Sequence, residues 1–284
     1  MGRIITILIL MGIVSGCVKE NYDECPDWGK YRVLFYDKTS ARERIDYNVI
    51  IHEISTDRTI TQNNATSYRY VRTPDTTQLK SGKVLKLFPG DYSFNALLSR
   101  ASLDVESTPG MRNGHQYLFA DTTAQIIKAG INPVELDFQL ANSLIVVKCH
   151  FDTGYAESHQ IFKIEISCPD DDFVAIDMLT GLSNYAQTVS SFYEECLYDD
   201  KQESFYYYCV PVINGNYLNF KVYVRDNNDM SVKTLLSGIF LKANIEQGKA
   251  YLFQFNVTPY EIEYMTTTVI DWTDYCHNTI ITFY

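Results

Sequence analysis

From Tyr31 onward, apolar and polar residues repeat with a period of two rather than 3.6, the signature of strands with one face buried. Tyr31–Tyr36 and Tyr47–Ile54 are rich in branched and aromatic residues and read as strands. Val84–Phe88, Pro89-Gly90-Asp91 and Tyr92–Leu98 read as strand, turn and strand, with the Pro-Gly pair supplying the fixed and the positive φ of a tight turn. Val134–Leu140 alternates without interruption. A second set begins at Leu144–Phe151, after the break Ala141-Asn142-Ser143. It continues through Phe162–Ile166, Ser204–Val212, Tyr217–Arg225, Leu235–Leu241, Lys249–Val257 and Thr267–Trp272. Only Ser183–Glu195 admits a helix, and Val189, Phe192 and Tyr193 weigh against it. Short strands at this spacing predict an all-β chain of sandwiches.

The residues before Tyr31 follow another pattern. One cation, Arg3, precedes the apolar run Ile4–Val14. As a helix this run would rise only about 16 Å, against about 30 Å of bilayer hydrocarbon. That is the layout of a signal peptide rather than a span. Val14-Ser15-Gly16-Cys17 resembles the lipobox of bacterial lipoproteins, which predicts cleavage before Cys17 and a diacylglycerol and N-acyl lipid on it. Two acyl chains hold a protein stably on a membrane. Residues 18–29 form an acidic tether. Asp does not follow Cys17, so the enterobacterial inner-membrane retention signal is absent, and the acidic stretch resembles the surface-export signal of Bacteroidales lipoproteins. The expected organisation is signal peptide 1–16, lipidated tether 17–29, one β-sandwich over 30–141 and a second over 142–284.

Charge narrows the partners. The chain of 284 residues carries 24 Lys and Arg against 35 Asp and Glu, a formal charge of −11. A surface of that sign repels phosphate backbones, which argues against nucleic acid. Of seven cysteines, the lipid accounts for Cys17. Cys25, Cys149, Cys168, Cys196, Cys209 and Cys276 remain for disulfides or for buried thiols. Cys149 and Cys168 read as a candidate disulfide between adjacent strands. Cys196 and Cys209 flank the turn at Asp199–Gln202, but a symmetric hairpin there sets Cys196 opposite residue 205, so their pairing needs a slipped register.

Catalytic signals are weak. Cys149-His150 and Cys276-His277 pair a nucleophile with a base, yet neighbours on a strand point to opposite faces. No Cys-x-x-Cys, His-Glu-x-x-His or phosphate-cradling glycine loop is present. Asp170-Asp171-Asp172 and Asp226-Asn227-Asn228-Asp229 are oxygen-rich turns, and the second lacks the glycine and distal glutamate of a helix–loop–helix calcium site. No catalytic residue, metal site or cofactor beyond the covalent lipid is expected. Tyr206-Tyr207-Tyr208 puts two rings on one strand face and one on the other, suited to a core or to stacking on sugars. Trp28 and Trp272 read as core plugs. Asp75-Thr76-Thr77 and Asp121-Thr122-Thr123 resemble O-glycosylation sites of exported Bacteroidales proteins.

Several of these features together resemble the FimB-type, minor-fimbrium anchor lipoproteins of Bacteroidales. They are Cys17 followed by Asp23-Glu24-Cys25-Pro26, Leu85–Phe94, the strand Val134–Leu140 leading into a second set, and Gln247–Phe253. The resemblance implies two transthyretin-like Greek-key β-sandwich domains on a lipid tether. It also implies a non-enzymatic role at the outer membrane, anchoring fimbriae or limiting their length. Strand addition to a fimbrial subunit is the expected contact. Thr279, Ile280, Ile281, Thr282, Phe283 and Tyr284 form the candidate donor strand, or equally a strand closing their own sandwich. Polymerising fimbrillins are cut after an arginine, a role open to Arg42 or Arg44. A surface glycan-binding lipoprotein of a polysaccharide-uptake system is the alternative of another class.

Overall fold

The computed structural model describes residues 29–37, 45–60, 67–73, 76–79, 85–99, 110–128, 130–152, 154–169, 174–177, 181–183, 189–200, 202–212, 217–240, 243–272, 274 and 275. The chain is all-β. Its first strands are β1 (Tyr31–Asp37), β2 (Ile45–Glu53), β3 (Arg58–Thr59), β4 (Ser67–Thr73), β5 (Thr76–Leu79) and β6 (Lys86–Leu87). Next come β7 (Gly90–Ser99), β8 (Gly110–Met111), β9 (Tyr117–Ile126), β10 (Ile131–Leu136) and β11 (Gln139–Leu140). Then follow β12 (Ser143–Phe151), β13 (His159–Pro169), β14 (Val174–Ala175), β15 (Val189–Glu195) and β16 (Leu197–Asp199). The last are β17 (Ser204–Cys209), β18 (Tyr217–Asp226), β19 (Val232–Phe240), β20 (Lys249–Val257) and β21 (Ile262–Asp271).

Of the strands from β1 to β11, all but β8 make two sheets, one ordered β10-β1-β6 and the other β11-β9-β7-β2-β4-β5, with β3 beside β2. Val33, Phe35, Leu87, Val134 and Leu136 of the small sheet pack on Val49, Ile51, Phe94, Ala96 and Leu118 of the large one. The later strands repeat the scheme with sheets β16-β17-β12-β20-β21 and β15-β13-β18-β19. Their shared core includes Ile145, Val147, Phe253 and Phe255 against Ile164, Ile166, Phe220 and Val222. Among the described residues, the only strand pairing between the two sets is the short β8–β14 bridge.

Apolar packing nevertheless runs between the sets. Leu144 and Val146 of β12 belong to the first core, and Ile145 and Val147 to the second. Tyr208, Ala250 and Trp272 also face the first core. The β12–β17–β20 sheet is therefore covered on both sides at one end, which explains the unbroken apolar run Leu144–Val147. The same cause removes the alternation from Tyr117–Ala120. Leu118 and Ala120 enter the first core, while Tyr117 and Phe119 join Met111, Ile176 and Val210.

Three expectations change. Within Ser183–Glu195, the described residues Val189–Glu195 form strand β15, not a helix; branched and aromatic residues there suit a sheet edge beside β13. Phe88–Asp91 is no hairpin turn, because β6 and β7 belong to facing sheets and the chain simply crosses between them. Gly90 starts β7 and is absent from the positive-φ glycines. Finally, Cys149 is a free thiol. It lies two residues before the end of β12, whereas Cys168 lies nine residues into β13, in the other sheet. Both strands run back from their connecting loop in facing sheets, so the two positions differ by seven residues (9 − 2), roughly 20 Å along the strands. A disulfide needs Cα atoms within about 7 Å.

Candidate strand-addition sites

Two strands bear on pairing with another chain, and they differ in how they are held. Strand β1 lies in the middle of its sheet, parallel to β10 and antiparallel to β6. The backbone N–H of Val33 also donates to the carbonyl of Leu85 at 3.0 Å. Alternation sends Val33 and Phe35 inward, and the Phe35 ring meets Phe94 edge-on at 5.3 Å. On the outward side the Tyr36 hydroxyl donates to Glu135 at 2.9 Å. Buried Asn132 ties β1 to the β9–β10 turn, its amide donating to the carbonyls of Arg32 and Ile127 while its oxygen accepts from the N–H of Ile127. Pro133 cannot donate to a ladder, which suits the edge position of β10. A foreign strand can enter this slot only by displacing β1, exposing side chains whose burial contributes about 1.5–3 kcal/mol each.

Strand β21 is the contrary case. It pairs antiparallel with β20 on one side, and among the described residues no strand pairs with the other. It contains no Lys, Arg or Pro, the residues that commonly blunt an edge. Tyr264, Met265 and Val269 stand about half exposed along it. One blunting device is present. The register shifts between Gln254 and Phe255, so Met265 has no opposite residue and forms a bulge. Lys249 pairs with Asp271 at the end of the strand, and that carboxylate holds the lysine pKa above its ordinary value.

The segment joining the two strand sets is fixed by polar side chains, among them Asn142 and Ser143 of the break that the sequence marked. Buried Asn142 accepts from the N–H of Tyr117 at 3.3 Å and donates to the carbonyl of His115 at 2.9 Å. Its own carbonyl accepts from Gly248, and Asn113 accepts from the N–H of Val210 at 3.0 Å. Ser143 donates to the carbonyl of Glu246 at 2.8 Å. Gly181 has φ +69°, and a Cβ there would come within 2.3 Å of the Phe119 ring.

The residues singled out for chemistry are placed as follows. Cys149 points toward the second core while His150 is exposed, so the pair does not meet. Burial pushes the Cys149 thiol up to about 12, which keeps it protonated at neutral pH. Cys196 and Cys209 are buried in that core. The observed hairpin pairs Leu197 with Tyr206, two residues from the Ser204 that the symmetric hairpin would set opposite it. Asp226 and Asp229 accept from the N–H groups of Asn228 and Ser231 within the β18–β19 turn. Hydrogen bonds from Ser231 hold the Asp229 pKa below its ordinary value. Among the described residues no cluster of His, Cys, Asp or Glu has the arrangement of a metal site. Tyr207 enters the second core, whereas Tyr206 and Tyr208 pack toward the first. Trp272 is buried in the first core beside Tyr275. Cys17, Trp28, Arg42, Arg44, Asp170–Asp172, Cys276 and the donor strand Thr279–Tyr284 lie outside the described residues.

No family model matches the chain, and no curated protein matches it. Solved structures do. A Bacteroides uniformis protein provisionally described as a cell adhesion protein is similar at 11% identity, covering 87% of this chain and 100% of its own, with a TM-score of 0.66. One from Bacteroides ovatus, with the same description, is 13% identical over 86% of this chain and 98% of its own, TM-score 0.59. The tip fimbrial protein Mfa3 from Porphyromonas gingivalis, solved with a C-terminal truncation, is 11% identical over 86% of this chain and all of its own, TM-score 0.52. At such identities the likeness establishes a shared fold spanning nearly the whole chain.

Proposed function

We propose that this chain is a lipid-anchored outer-membrane protein that holds a fimbrium or limits its assembly, joined to a fimbrial subunit by β-strand addition. The seating of β1 carries the reading. The slot between β6 and β10 is filled from within the chain, so the first sandwich is complete without a partner's strand. Such a protein ends a polymer on that side while contributing a strand of its own. Thr279–Tyr284, close behind β21, is uncharged and rich in branched and aromatic residues, as a donor strand requires. The fold shared with a tip fimbrial protein and with a protein described as a cell adhesion protein supports a fimbrial setting. Cys17 carries the lipid in this account, and no residue is assigned a catalytic role.

Deletion of residues 279–284 tests the donor. The truncated protein is expected to fold, as judged by an unchanged unfolding midpoint, and to lose co-purification with fimbrial subunits. Undiminished co-purification would overturn the donor assignment; a collapsed midpoint would make the segment part of its own sandwich.

One observation favours a second reading, a polymerising subunit. Arg42 and Arg44 fall in the connection between β1 and β2, where a cut would sever β1 from the rest of the chain. The glycan-binding alternative gains nothing from Tyr206, Tyr207 and Tyr208, which are committed to packing.

A further inference from the structure

The outward face of the β10-β1-β6 sheet departs from the rest of this acidic chain. Pairing sets Arg32 beside Lys86 on one side and Ile131 on the other, with Leu34 beside Pro133 in the next row. Leu34, Phe88, Ile127 and Ile131 are each between 45% and 56% exposed, so half of each apolar side chain is left to solvent. Three cations stand on or beside this face, and a fourth lies in the turn that leads from β9 into β10. Lys30 lies over the Phe88 ring at 5.3 Å, Arg32 and Lys86 follow from the register, and Lys128 is exposed next to Ile127. Glu135 also stands on this face, where it accepts from Tyr36 at the far end, and exposed Asp137 follows just beyond β10. An apolar strip ringed by cations, on a chain of net charge −11, is a local inversion of the surface.

The place where the chain enters the fold gives that inversion a direction. Gly29, with φ +86°, lies against Phe88, so the first described residue borders this same face. Cys17 precedes Gly29 by 12 residues (29 − 17), a reach of at most about 40 Å. We infer that this face docks on the phosphate-bearing surface of the membrane, with Phe88, Ile127 and Ile131 entering the headgroup layer and Lys30, Arg32, Lys86 and Lys128 meeting lipid phosphates. The inference rests on the anchor reading for its tether, and it orients the first sandwich with its outer sheet toward the bilayer.

The test uses the full lipidated chain in detergent, in phosphatidylcholine vesicles, and in vesicles that also contain phosphatidylglycerol. Acetylation rates of Lys86 and Lys128 are read by mass spectrometry against Lys233 of β19. In the anionic vesicles both rates should fall about fivefold or more, the order expected for one cation at an anionic surface. Lys233 should not change, and Phe88→Ser with Ile131→Ser, both at exposed positions, should restore most of the reactivity. Equal rates in the two vesicle types would overturn the inference. So would equal protection in detergent, which would mean that the acidic tether covers the face. A chain whose mass shows no lipid fails the anchor reading separately. Added to concentrated anionic vesicles, it should still show the protection, and its absence there would overturn the docking face regardless of the lipid.

Discussion

Strands β1 and β21 are both exposed in part and rich in branched and aromatic residues, yet they answer opposite questions about strand addition. β1 has ladders on both sides and two side chains locked in a core. β21 has a ladder on one side, and only Ile262 is buried along it. The difference lies in neighbours rather than composition. A strand between two others is removed only against its hydrogen bonds and buried area together, whereas an edge accepts a partner without giving anything up. In a chain that fills its own slot, association at β1 is gated by displacement, and association at β21 is not.

Four substitutions sharpen the contrast. Phe35→Ala should cost about 3–5 kcal/mol in denaturant unfolding, because it empties a packed site against Phe94; a cost below about 1 kcal/mol would mean β1 is loosely held. Asn142→Ala should cost about 1–3 kcal/mol by leaving the N–H of Tyr117 and the carbonyl of His115 unmatched at the junction. Glu165→Gln is a milder change at a half-buried position of β13. Burial would raise the Glu165 pKa, but contacts from Lys163 and Tyr223 outweigh it and the net shift is downward. That stabilisation is therefore complete above the unfolded value of about 4.3 and is lost as pH falls through the folded value. The variant should lose at most about 1 kcal/mol at neutral pH and show a flatter acid limb in a pH series of unfolding midpoints. Thr268→Lys on β21 should alter stability by less than about 0.5 kcal/mol, while weakening any partner strand that uses that edge, as read by pull-down.

The fold was legible where one sheet face meets water. Lys249–Val257 alternates and forms a strand with those bounds. Legibility failed for four physical reasons. Covering both faces of β12 and the start of β9 removed the alternation, so the contact between the two strand sets left no periodic signal. Pro89-Gly90 suggested a hairpin, but local turn chemistry does not say whether the next strand joins the same sheet. Cys149 and Cys168 sit on strands consecutive in sequence, which is not adjacency in space. The position of β1 between β6 and β10 had no local signal at all, since it depends on residues about 50 and 100 positions away.

The most direct test of a self-completed first sandwich is the intact mass of the protein isolated together with fimbriae. The account predicts one chain, lipid on Cys17, continuous through Arg42 and Arg44 with β1 attached. A chain beginning after either arginine, its β1 gone, would contradict it and make the protein a polymerising subunit.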